Sequence, residues 1–137
     1  MSGRGILDTN AVILLPRIDD PAALPAEPVI TTITLAELSV GPLVAGNDIE
    51  RAARQAHVQQ AESDFEALDF DAAAARAFGR VASELRSAGR KTRARAYDAL
   101  IASVAISQDL PLYTANADDF LGISGLDLVE IAVPDET

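Results

Sequence analysis

Four acidic side chains sit in short motifs spread along the chain. They are Asp8 in GILDTNAVILL, Glu37 in TLAEL, Asp98 in AYDALIASVAI and Asp119 in TANADDF, with Asp118 beside the last. Asp98 is the hardest to place harmlessly, because no further charge follows it until Asp109, so its helix reads as enclosed by protein. A carboxylate in such a place costs several kcal/mol unless it is paired, metal-bound or protonated. Acids brought together also repel: two carboxylates ~4 Å apart cost about 4 kcal/mol at an effective dielectric of 20. Without a cation, one of them must take a proton. A divalent ion removes the conflict, and all-oxygen ligation suits Mg2+ or Mn2+ rather than zinc. Such a centre orients a water, lowers its pKa and stabilises charge on a leaving oxygen, the chemistry of a metal-dependent phosphodiesterase.

Each acid also has a purely structural explanation. Asp8 fits the cap of the helix that follows it. Thr34 and Glu37 have the T-x-x-E spacing of a capping box, and Asn116 and Asp119 repeat that offset, with Asp118 adding charge to a first turn. Asp98 would cap a helix starting at its own position. The preceding TRARAY has good helix formers and no breaker, however, so an interior position is expected.

These residues need a scaffold that brings distant segments together. GIL reads as a short buried strand, NAVILL as a helix stopped by Pro16, and VITTI as a second strand. A helix over LAELSVGPLVAG is expected to bend or break at Gly41-Pro42. A long helix opened by Asn47 or Asp48 follows, then a short strand at LDF. The next helix is capped by Asp71 and carries Phe78, Val81, Ala82 and Leu85 at i, i+3, i+4, i+7 spacing. RAYDALIASVAISQ is a further helix, PLYTA a strand, ADDFL a helical turn and LDLVEIAV a last strand. Strands alternating with helices predict an α/β fold, a three-layer α/β/α sandwich with a central, mostly parallel sheet. Functional groups in such sheets gather beyond the carboxyl ends of the strands, where Asp8, Glu37, Thr114 and Asn116 would all fall.

Composition narrows the classes. The 137 residues suit a single domain, with the last few expected to form a flexible tail, and 49% are hydrophobic, enough for a core. No cysteine is present, so disulfides and thiolate metal sites are excluded. The N-terminus lacks a signal-peptide pattern and no apolar run approaches a membrane span, so a cytoplasmic protein is expected. A formal net charge of −10 argues against a general nucleic-acid coat. Even so, Arg86, Arg90, Lys91, Arg93 and Arg95 crowd into RSAGRKTRAR, a strip able to hold a polyanion locally or simply to be solvated. His57, the only histidine, has no neighbours that complete a general-base site and reads as a surface or interface residue. Tyr97 and Phe78 are expected to pack in the core. The alanine-rich faces of residues 52–61 and 72–77 suit close helix packing, including packing between two subunits.

Taken in order, ILDTN, ITLAEL, YDALIASVA and LYTANADDFLGISGL resemble the PIN-domain ribonucleases, specifically the VapC toxins of toxin–antitoxin pairs. The resemblance implies a compact α/β/α fold and Mg2+- or Mn2+-dependent cleavage of structured RNA such as tRNA or ribosomal RNA. It maps Asp8, Glu37 and Asp98 onto the acidic metal-site positions. The family pattern T-x-N/D-x-x-D-F appears as Thr114, Asn116, Asp119 and Phe120. Asn116 stands where some members have aspartate, so the fourth acid is Asp119 or Asp118, with Thr114 and Asn116 orienting a ligand water or a phosphate oxygen. The resemblance also implies a homodimer silenced by a cognate VapB-like antitoxin whose tail enters the active groove. Lys91, Arg93 and Arg95 are the expected RNA-gripping residues.

Three other classes compete. A receiver-type phosphoacceptor module would need a lysine near its last strand, whereas Lys91, the only lysine, lies in a hydrophilic loop. An aspartate-nucleophile phosphatase would open D-x-D-x-V, but DTNAV has Asn10 in place of the proton-donating aspartate. A non-catalytic interaction protein that kept the fold is the third.

Overall fold

The computed structural model describes residues 3–90 and 95–134. Lys91, Arg93 and the expected C-terminal tail lie outside the described residues. The elements run β1 (Arg4–Leu7), α1 (Thr9–Leu14), β2 (Glu27–Thr31), α2 (Thr32–Leu43) and α3 (Asp48–Asp64), then β3 (Ala67–Leu68) and α4 (Ala72–Ser87). They continue through α5 (Ala96–Gln108), β4 (Leu112–Thr114), a 3-10 turn (Ala117–Phe120) and β5 (Leu128–Glu130).

Five strands form one sheet in the order β3-β2-β1-β4-β5, and every pairing is parallel. A receiver module has the order 2-1-3-4-5 instead, so this topology excludes that class. Successive strand residues point to opposite faces, and the core divides accordingly. Ile6 and Val29 pack with Ala74, Ile101, Ala102 and Ala105 of α4 and α5. Their neighbours Leu7 and Ile30 pack on the other face with Ala11, Val12, Leu38, Val58 and Ala61 of α1, α2 and α3. Burying each valine, leucine or isoleucine among them contributes about 1.5–3 kcal/mol. The strands are therefore apolar on both sides, which is why they read as continuous apolar runs. Gly5 lets β1 pass close to its neighbours: a Cβ there would stand 2.6 Å from the Tyr113 ring and 2.9 Å from Pro25.

The helix boundaries show where local signals prevailed. Asn47 caps α3 by accepting from the Glu50 N–H, and Asp71 caps α4 through the Ala74 N–H, both as expected. Thr31 of VITTI is the cap rather than Thr34, so Thr32 and Ile33 belong to α2 and not to the strand. The helix runs through Gly41 and Pro42 and ends one residue later, at Leu43, as the missing Pro42 N–H weakens its last turn. The short third strand is Ala67–Leu68, one residue ahead of LDF. Asp109 adopts the left-handed conformation (φ 54°) at the end of α5, and the Leu110 N–H returns to the Ala105 carbonyl, turning the chain into β4. Among the described residues no helix is long and apolar enough to cross a membrane.

Candidate active site

Strand order reverses at β1, with β2 on one side and β4 on the other, so the carboxyl ends of β1 and β4 flank a crevice. Asp8 is the first residue past β1. Its N–H bonds the Tyr113 carbonyl at 3.0 Å, extending the ladder by one residue and setting Asp8 beside Thr114. Its carboxylate is 2% exposed and is held from two sides. One oxygen accepts from the Ala11 N–H at 2.8 Å and caps α1; the other accepts from the Thr114 hydroxyl at 2.5 Å. The capping explanation of Asp8 is therefore correct and compatible with a place in the centre. Burial pushes its pKa up, against the two hydrogen bonds, and Asp119 and Glu37 push it further.

Glu37 lies on α2 and does not close a capping box. Its carboxylate instead reaches across to α1, accepting from the Thr9 hydroxyl at 2.6 Å, while Thr9 and Thr34 share a hydroxyl contact of 3.0 Å. Its pKa is raised by burial, with the Thr9 bond opposing. Asp98 sits in the first turn of α5, not in a helix interior, because α5 begins at Ala96. The enclosure inferred for this helix applies to Ala99, Ile101, Ala102, Ser103, Val104 and Ala105, and Asp98 stands at its mouth. Burial raises its pKa to about 6, reinforced by repulsion from Asp119, Asp8 and Glu37 and eased by Arg95.

Asp119 comes from the 117–120 turn and is ion-paired with Arg95, which also lies 4.0 Å from Asp98. Asn116 precedes that turn without capping it, and its side chain is exposed. Asp118 is exposed and contributes its backbone carbonyl to Arg90. Of the two candidates for the fourth acid, Asp119 is the one whose charge acts on Asp8 and Asp98. Thr114 is fully buried, donates to Asp8 and accepts from the Asn116 N–H at 3.0 Å. Its hydroxyl thus orients Asp8. Tyr97 also departs from expectation: it is 52% exposed, whereas Phe78 packs edge-to-face on Phe70.

Two features escaped the sequence. Thr9 and Thr34 tie Glu37 in place, and the only hint was a hydroxyl residue next to Asp8. His57 borders an open cleft of about 420 Å³ that begins at Thr9 and Glu37 and continues past Asn10, Ile13, Leu38 and Arg54. Nothing in the helical pattern of α3 links His57 to Glu37.

Asp8 feels the charges of Asp119 and Glu37, Asp98 feels those of Asp119, Asp8 and Glu37, and all the donor atoms are oxygens. Among the described residues no three of them are already gathered at ligand distance of one another. Burial and repulsion from the other acids make Asp98 hold its proton to a higher pH than an isolated carboxyl. A hard divalent cation fits this donor set, with Asp8, Asp98, Glu37 and Asp119 as the groups able to hold it.

The chain belongs to the PIN-domain family, whose model matches residues 6–125. Ribonuclease VapC5 of Mycobacterium tuberculosis is 40% identical over 129 residues, 93% of each chain. Among solved structures, that of VapBC-5 from M. tuberculosis, a member of the VapBC family of toxin–antitoxin systems, matches with a TM-score of 0.81 at 34% identity, over 94% of this chain and 99% of that one. VapBC2 from Rickettsia felis, bound to a promoter DNA fragment, matches with a TM-score of 0.77 at 26% identity, over 94% and 99%. DNA-bound VapBC from Salmonella typhimurium matches at 0.73 and 27% identity, over 93% and 97%.

Proposed function

We infer that this protein is the ribonuclease toxin of a toxin–antitoxin pair and that it hydrolyses RNA phosphodiesters with a divalent ion, Mg2+ or Mn2+. The observation that carries the reading is the convergence of Asp8, Glu37, Asp98 and Asp119 from four separate segments upon one sheet edge, with too little positive charge to offset them. A VapC relative at 40% identity supports RNA as the substrate.

A bound Mg2+ or Mn2+ would supply an activated water and charge stabilisation for the leaving oxygen. The chain's own part is positional. Thr114 and the Ala11 N–H fix the Asp8 carboxylate, so one ligand arm is rigid before any ion arrives. Thr9 holds Glu37 from the opposite wall. Asp98, at the start of α5, gives up its proton most readily when a cation is near. The cleft running from Glu37 between α1, α2 and α3 offers a course for a strand of RNA, with Asn10 and His57 on its sides. Structured RNA, tRNA or ribosomal RNA, is the substrate class that goes with this reading.

The VapBC structures, which pair toxin with antitoxin, support a cognate antitoxin as partner. A homodimer and a cytoplasmic location complete the reading; Ala52, Ala53 and Ala56 leave an exposed small-residue face on α3 for such packing. The test is cleavage of total RNA by purified protein with Mn2+, with EDTA and with Asp98→Asn. Metal-dependent cleavage lost in Asp98→Asn, with circular dichroism unchanged, is expected. Cleavage of equal rate in EDTA would overturn the reading.

A further inference from the structure

We propose that Arg95 sets how many divalent ions the acidic centre takes, standing as a built-in cation on Asp119 and Asp98. The inference rests on the metal-centre reading above and adds to it a determinant of occupancy. Arg95 occupies the N-cap position of α5 but makes no cap bond there. Its guanidinium turns onto the 117–120 turn, pairs with Asp119 and comes within 4.0 Å of Asp98. All three side chains are largely shielded, at 34%, 15% and 29% exposure, so solvent screens the pair less than it would a surface pair. Among the described residues no other cation is paired with an acid of the centre.

This arrangement divides the four acids. Asp8 and Glu37 receive only neutral donors, a backbone N–H and two threonine hydroxyls. With Asp98 they form the part of the centre whose negative charge is least compensated, and that part takes the first ion. Asp119 already has its counter-charge. A dication approaching the Asp98–Asp119 side meets a fixed positive charge and must compete with it for Asp119, whose Oδ1 the guanidinium holds. The protein therefore binds one ion with Arg95 in place, and the Asp119 side opens when Arg95 is removed. In this role Arg95 is not one of the residues that grip RNA.

Isothermal titration of the full chain with Mn2+ alone tests this, using wild type, Arg95→Gln, Arg95→Lys and the double variant Arg95→Gln/Asp119→Asn, with thermal melts in EDTA to confirm folding. Arg95→Gln is expected to bind a second equivalent of Mn2+, and a tighter first equivalent with no second overturns the role of Arg95 in occupancy. Arg95→Lys, which keeps the charge, is expected to stay near wild type. The double variant is expected to lose the gain, because its readout depends on the Asp119 oxygens. Unchanged Mn2+ binding in folded Arg95→Gln, with or without a raised KM for RNA, overturns the role of Arg95 and leaves the metal centre standing. Absence of Mn2+ binding in wild type and in every variant overturns the metal centre itself, and the role of Arg95 with it.

Discussion

Glu84 and Asp98 lie near opposite helix ends, and helix electrostatics alone would rank them wrongly. Glu84 is in the last turn of α4, where the helix dipole disfavours an anion, and Asp98 is in the first turn of α5, where the dipole favours one, each effect being about 0.3–1 kcal/mol. Yet Glu84 is the settled group. It accepts from the Ser124 N–H at 2.9 Å, the Ser124 hydroxyl and Arg80 at 3.0 Å, and the Ser124 bonds lead in holding its pKa below the usual range. Among the described residues Asp98 receives no such donor, only Arg95 at 4.0 Å, and burial with three acids near it lifts its pKa to about 6. Tertiary contacts outweigh the dipole at both sites. Glu84, which fastens a loop, is saturated with donors, whereas Asp98 is left short of them among the described residues.

The contrast can be broken or sharpened by substitution. The largest effect on stability is expected from Thr114→Val, which strips the buried Asp8 of a charge-assisted donor. Chemical denaturation should show a loss of about 1–3 kcal/mol, and RNA cleavage should fall as Asp8 loses its orientation. Asp98→Asn is expected to act in the opposite sense, stabilising the metal-free protein at pH 7 by about 1–2 kcal/mol while abolishing activity. A destabilised, metal-free Asp98→Asn would show that the carboxylate is a structural group like Glu84. Glu84→Gln should cost no more than about 1 kcal/mol, since its pairing is at the surface, and should leave cleavage untouched.

The pH dependence separates the two groups by sign. Asp98 has a folded pKa above its unfolded value of 3.8, so the folded chain holds a proton that the unfolded chain releases between about pH 4 and 6. Its contribution to stability therefore declines as pH rises through that window. The raised values of Asp8 and Glu37 act in the same direction. Glu84 runs the other way: its contribution is present above its unfolded pKa and is lost as pH falls through the lower folded value. Melts of metal-free protein between about pH 4 and 6 should show the Asp98 trend, flattened in Asp98→Asn. Saturating Mn2+ should reverse it, because the ion binds the deprotonated acids.

Much of the fold was legible because its signals are local or periodic. Caps at Asn47 and Asp71 are settled within three residues, and apolar runs on two-sided strands announce a covered parallel sheet. Misplacements arose where local patterns were ambiguous. ITLAEL offered Thr34 and Glu37 as a capping box, but Thr31 already supplied the cap and Glu37 was free to bond Thr9. Asp98 read as interior because TRARAY contains no breaker, although α5 begins at Ala96.

The sequence by itself determined which acids exist, that they follow strands or open helices, and that the fold is a layered α/β sheet. Only the tertiary structure decided their partners: Thr9 with Glu37 at a separation of 28 residues, Arg95 with Asp119 at 24, and Thr114 with Asp8 at 106. The reason is physical. Caps and periodicity are fixed by backbone geometry within a turn or two, whereas the protonation and orientation of a buried carboxylate depend on whatever the sheet order places beside it. Here that order put β4 next to β1.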